Sequence, residues 1–182
     1  MTRFWAAASR VLKPGGTVAL WTCSSLYVHT SMQNHVRVQE ILFNLERGML
    51  APFELPGNRV SRDGYVDLQL PWDIIPAARA FDRKSFVRHD WNLNGEVRPD
   101  EPFFNATAED GKGFEEESLE DLEKGLDTAS MITRWREANK HMVGTDEDCV
   151  KKTISDLRKV MGDQKLRTGN STSLLLFKKK VL

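Results

Sequence analysis

The sequence predicts an α/β fold, and three observations carry that expectation. A helix-spaced apolar set, Phe4, Trp5, Ala8, Val11 and Leu12, runs straight into Pro14-Gly15-Gly16 and then into the apolar, partly β-branched run Thr17 to Trp21. Two further runs, Phe86 to Leu93 and Thr172 to Lys178, read as strands. Between the strands lie segments of helical period. Helices alternating with apolar strands build a sheet covered by helices.

Taken in order, Thr2 is the expected N-cap of the first helix. Pro14 cannot continue that helix, and Gly15-Gly16 can adopt positive φ. Thr17 to Trp21 is expected to be a strand covered on both faces, with Ser24, Ser25 and Tyr27 in the loop beyond it. Val38, Ile41, Leu42, Leu45 and Met49 mark a helix over about Gln33 to Met49, stopped by Gly48 and Pro52.

From Ala51 to Arg79 the periodicity fails. Pro52, Pro56, Gly57, Gly64, Pro71 and Pro76 punctuate an irregular excursion of roughly thirty residues, the kind of long loop that serves as a lid or a pocket wall. Val87, His89, Trp91 and Leu93 share one face of the next strand. Glu96 to Phe114 reads as a loop. Ser118 with Asp121 starts a helix, whose apolar face runs Leu119, Leu122, Leu126, Ala129 and Thr133 to about Asn139. Trp135 belongs to the core and Arg136 to the surface. Thr145 with Asp148 starts another helix, with Val150, Ile154, Leu157 and Met161 inward and Gly162 at its end. Lys178, Lys179 and Lys180 are expected to be a solvated tail. The organisation is therefore 1–50 helix-strand-helix, 51–85 irregular excursion, and 86–182 strand-helix-helix-strand.

Composition narrows the function. The 182 residues carry 26 basic and 26 acidic side chains, so no charge imbalance points to nucleic acid or a membrane surface. No apolar run is long enough to span a bilayer, and no signal peptide is apparent. Cys23 and Cys149 form no disulfide framework and no zinc pattern, and a cytoplasmic setting is expected. The sequons at Asn105 and Asn170 are read as coincidental in that setting. Of His29, His35, His89 and His141, the first two lack metal-ligand spacing and an acidic helper and His89 is read as facing a sheet layer, so no metal site and no catalytic residue is assigned.

Several stretches carry a resemblance. RVLKPGGTVALW (10–21), VQEILFNLERGMLAPFELPGNR (38–59), SFVRHDWN (85–92), TASMITRWREAN (128–139) and LRTGNSTSLLLFK (166–178) resemble class I S-adenosyl-L-methionine-dependent methyltransferases. The likeness is to their fungal small-molecule branch, similar to trans-aconitate methyltransferase. It implies a Rossmann-like fold in which Thr17–Trp21, Phe86–Leu93 and Thr172–Lys178 correspond to strands five, six and seven, the last inserted antiparallel between the other two. It covers only the C-terminal portion of that family's domain, with the N-terminal cofactor-binding half missing. Gly111-Lys112-Gly113 is the only Gly-x-Gly and follows no strand, so no cofactor-binding residue is assigned.

The resemblance implies O-methylation of a small carboxylic acid or secondary metabolite once the missing half is supplied. The alternative is a non-catalytic remnant or a truncated gene model. Trp21, Ser24, Ser25 and Tyr27, at or beyond a strand's carboxyl end, are candidate acceptor-binding residues. So are Arg59, Arg62, Tyr65 and Trp72 in the excursion, since arginine suits carboxylate recognition. An exposed edge on the first strand implies self-association or pairing with an N-terminal half.

Overall fold

The computed structural model describes residues 2–74, 79–95 and 115–181. Pro76, the loop Glu96–Phe114, the sequon at Asn105 and Gly111-Lys112-Gly113 lie outside the described residues. Helix α1 spans Thr2–Val11, so Thr2 is its first residue rather than the residue before it. Trp5 and Ala8 are buried, while Phe4 and Val11 face solvent, which narrows the apolar stripe read from the sequence. The Trp5 ring meets Phe81 and Phe177 edge-on, at 5.4 and 4.7 Å between centroids. Its Nε1 donates to the Gln69 carbonyl at 2.9 Å, so this buried indole is both packed and satisfied. Gly15, at φ 75, then turns the chain into the sheet.

Strand β1 (Thr17–Val28) pairs antiparallel with β4 (Leu166–Lys178), from Thr17 opposite Lys178 to Val28 opposite Thr168. The register shifts at a bulge between Cys23 and Leu26. Strand β2 (Val87–Trp91) pairs antiparallel with the other side of β4, and β3 (Glu115–Glu117) also pairs with β4. The order β1-β4-β2 makes β1 and β2 parallel to each other, with the last strand reversed between them.

The first strand differs from expectation. β1 runs past Trp21, so Ser24, Ser25 and Tyr27 stand in a strand and not in a loop. It is also covered unequally. Val18 and Leu20 pack against the core under α1, whereas Thr17, Ala19 and Trp21 point to the other, exposed face. A run that is apolar at every position reads as two-sided burial, and here only alternate residues are covered.

The excursion is folded onto the sheet. It contains helix α3 (Pro56–Arg62) and short 3-10 turns at Pro71–Asp73 and Arg83–Ser85. Leu68, Ile74 and Phe81 join Trp5, Leu175 and Phe177 in one core. Arg88 ties it to β2, donating to the Gly64 carbonyl at 2.8 Å and to Asp90 at 2.7 Å. Lys179 is no solvated tail: its Nζ donates to the carbonyls of Ser9 and Leu12 at 2.6 and 2.7 Å, capping the C-terminus of α1.

A second core lies at the other end of the β1–β4 ribbon. Helix α2 (His35–Phe43) continues as a π-helical turn, Asn44–Met49, where the Leu50 N–H reaches back to the Leu45 carbonyl at 3.0 Å. The long helix expected to reach Asn139 is two: α4 (Leu119–Asp127) and α5 (Ser130–Ala138). The Thr128 hydroxyl takes the Gly125 carbonyl at 2.7 Å and closes the first one. Ser118 caps α4, as its side chain accepts from the Asp121 N–H. Helix α6 (Cys149–Met161) is capped by Asp148, not Thr145. Val28, Val38, Leu45, Leu122, Ile132, Trp135, Leu157 and Leu166 pack together here. Arg136, expected at the surface, is only partly exposed. It forms a two-pronged pair with Asp148, at 2.9 and 3.2 Å, and reaches Asp127 at 2.8 Å. Among the described residues, no helix is long and apolar enough to cross a membrane.

Candidate acceptor cleft

The bulge in β1 and the turn after β2 open a cleft between the two cores. Bulges re-aim side chains, and this one sits where β1 leaves the sheet-side core. The cleft has a volume of about 770 Å³, within the ~300–1,000 Å³ of small-molecule sites. Ser24, Ser25 and Tyr27 from β1 form one wall, Arg62, Asp63 and Gly64 a second, and Leu93 and Asn94 after β2 a third. It lies toward the carboxyl ends of the two parallel strands, where ligands sit in α/β sheets.

Its walls are held from behind. Ser25 donates to Glu46 at 2.7 Å, and Arg47 donates to the Ser25 hydroxyl at 3.1 Å. The Arg47 guanidinium lies 3.8 Å from the centre of the Phe43 ring, and the Tyr27 ring meets Phe43 edge-on at 5.8 Å. Gly95 has φ 77, and a Cβ there would fall 2.3 Å from the Tyr27 ring, so the turn after β2 closes onto Tyr27 only because it carries glycine. Asn92 and Asn94 share the left-handed conformation of that turn. Asn92 is 2% exposed, and its Oδ1 has no hydrogen-bond partner among the described residues.

The arginines are paired within the chain. Glu54 accepts from both Arg59, at 3.1 Å, and Arg62, while Arg62 also reaches Asp63 at 3.1 Å. Burial alone would lower the Arg62 pKa, but Asp63, Glu54 and Glu46 outweigh it and hold it above the ordinary value. The arginines expected to await a carboxylate are thus engaged by carboxylates of the chain itself.

Of the residues singled out from the sequence, Ser24, Ser25, Tyr27 and Arg62 line this cleft. Trp21 does not. Its ring lies on the exposed sheet face, 5.9 Å from Trp91, and its carbonyl accepts from the Tyr65 hydroxyl at 2.9 Å. Tyr65 and Trp72 pack with the sheet-side core, Trp72 against Phe86 and Phe177, and Arg59 stands behind the cleft on Glu54. Sequence reasoning missed Glu46, Arg47, Asn94 and Ser171. The Asn94-Gly95 turn signal was readable; nothing in the heptad-like spacing around Glu46 marks a π-turn.

No family model matches the chain, and no curated protein matches it. Among solved structures, a chain assigned as a type II methyltransferase from Anaeromyxobacter dehalogenans superposes with a TM-score of 0.51 at 19% identity. The match covers 98% of this chain and 57% of that one. At this identity the likeness establishes the fold, which is methyltransferase-like, and the chain spans 57% of that structure's length.

The described residues do not make a cradle for S-adenosyl-L-methionine. Such a cradle needs a glycine-rich turn leading from a parallel strand into a helix. Gly15 and Gly16 precede a strand; Gly64 abuts Ser173; Gly95 is occupied by Tyr27; Gly144 and Gly162 flank α6. Among the described residues no cluster of His, Cys, Asp and Glu could hold a metal ion.

Proposed function

We propose that this chain supplies the acceptor-binding side of an S-adenosyl-L-methionine-dependent O-methyltransferase acting on a small molecule. It corresponds to the C-terminal portion of the class I fold, with cofactor binding supplied from outside these 182 residues. The observation that carries the reading is the sheet: two parallel strands with the last strand reversed between them, and a cleft of small-molecule size toward their carboxyl ends. The methyltransferase-like neighbour supports it.

A sulfonium methyl group is already activated, so the acceptor side contributes alignment and exclusion of water. Ser24, Tyr27 and Asn94 offer hydroxyl and amide groups to orient an acceptor oxygen, with Ser25 held in the wall by Glu46 and Arg47. With Arg62 and Arg47 already paired, an uncharged hydroxylated metabolite fits better than a free carboxylic acid.

Calorimetric titration of the chain with S-adenosyl-L-methionine tests the division of labour. No saturable binding is expected, and micromolar binding by this chain alone overturns it. Expression with the coding sequence upstream of Met1, followed by transfer of a labelled methyl group, tests the activity. In that longer protein Tyr27→Ala is expected to lower turnover at least tenfold with cofactor affinity unchanged.

A further inference from the structure

A second hollow adjoins the cleft, between α2, its π-turn and α5. It has a volume of about 230 Å³ and a floor of Leu26, Leu42, Leu45, Leu126 and Ile132. That is below the ~300 Å³ at which small-molecule sites begin, so it suits part of a ligand rather than a whole one. Its wall toward the cleft is made by Phe43 and Glu46. Phe43 touches Tyr27 and Arg47 on the cleft side, and Glu46 accepts from Ser25 there at 2.7 Å. Strand alternation makes the division: Ser25 and Tyr27 face the cleft, while Leu26 between them faces the hollow.

The rim is polar and fixed. Asn58 donates to Ser130 at 3.4 Å, and Arg134 holds Asn58 at 2.8 Å and the Phe53 carbonyl at 2.8 Å. A fixed polar rim over an apolar floor, beside a hydrogen-bonding cleft whose arginines are already paired, has the form of a two-part site. The π-turn supports this, since such turns recur at functional sites and here it presents Glu46 and Arg47 to the shared wall.

We propose that this hollow takes the apolar tail of an uncharged amphipathic acceptor whose hydroxylated head occupies the cleft. The tail is an alkyl or prenyl-sized group laid across the Phe43–Glu46 wall. This deepens the reading of the cleft as an acceptor site and rests on it.

The test uses the whole chain with phenol and 4-pentylphenol as probes, followed by NMR titration without cofactor. 4-Pentylphenol is expected to bind at least tenfold more tightly than phenol. Nuclear Overhauser contacts are expected from its alkyl protons to the Met131 methyl group and to Leu126. Ala129→Phe, which fills the hollow from α5's N-terminal end, is expected to abolish the advantage and leave phenol binding unchanged. Equal affinity of the two probes overturns the proposal, and so do alkyl contacts elsewhere in the native protein or an advantage that survives in folded Ala129→Phe. None of these readouts needs methyl transfer. A tail in the hollow with no transfer by the longer protein would therefore sink the methyltransferase reading and leave the amphipathic site standing.

Discussion

Asp148 is a fully buried carboxylate that caps α6 and holds Arg136 of α5. Burial alone would raise its pKa. The paired Arg136 guanidinium and the N–H groups of Val150 and Gly144 outweigh that and hold it below the ordinary carboxylate range. A carboxyl depressed on folding stabilises the protein above its unfolded pKa, and that contribution is lost as pH falls through the folded value. Asp148→Asn is expected to cost about 1–3 kcal/mol at neutral pH, since Arg136 loses its buried partner. The gap from the parent, measured by urea unfolding, should shrink between about pH 5 and pH 2. A gap independent of pH would show that the pair is only a packing contact. The neighbouring Cys149 thiol is pushed up to about 11 by burial, so it stays protonated and inert beside this cluster.

Helix α1 shows how an element can be fixed from the far end of the chain. Its last carbonyls accept from Lys179, 170 residues along from Ser9. Lys179→Met is expected to remove about 1 kcal/mol of stability and to speed amide exchange in α1, with α4–α6 unchanged because they belong to the other core. Equal acceleration in both would mean that the two cores open as one. The lysine was read as tail because a terminal basic run carries no local signal of its partner. The same limit explains most differences between pattern and structure. Helix existence was legible in the 3.6-residue spacing of Val38, Leu42 and Leu45 or of Val150, Ile154 and Leu157. The strand character of Ser24, Ser25 and Tyr27 was not, because the two serines fall at the bulge and Tyr27 pairs with Gly169, far along the chain. Within the cleft, Ser25 and Tyr27 could be placed by their position after an apolar run. Glu46 and Arg47 could not, because only a π-turn, invisible to periodicity, puts them behind Ser25.

At the scale of the molecule, β1 ends the strand order, and among the described residues no strand pairs with its outer side. An apolar strand with an open edge is a template for pairing. The chain is therefore expected to self-associate with rising concentration in light scattering. Ala19→Lys, an exposed charge on that strand, should return it toward monomer. A parent protein that stays monodisperse at high concentration would remove the edge as an interface.

The last strand has a role beyond the site. β1, β2 and β3 each take β4 as their partner, and β4 is the last of the described strands in chain order. Until Leu166–Lys178 has been synthesised, none of the three earlier described strands has the partner it takes in this sheet. Sheet formation then waits on β4 and joins positions as far apart as Thr17 and Lys178, non-local pairing of the kind that slows folding. A chain stalled before Leu166 would lack the strand that lies between β1 and β2, leaving apolar sequence open to a chaperone.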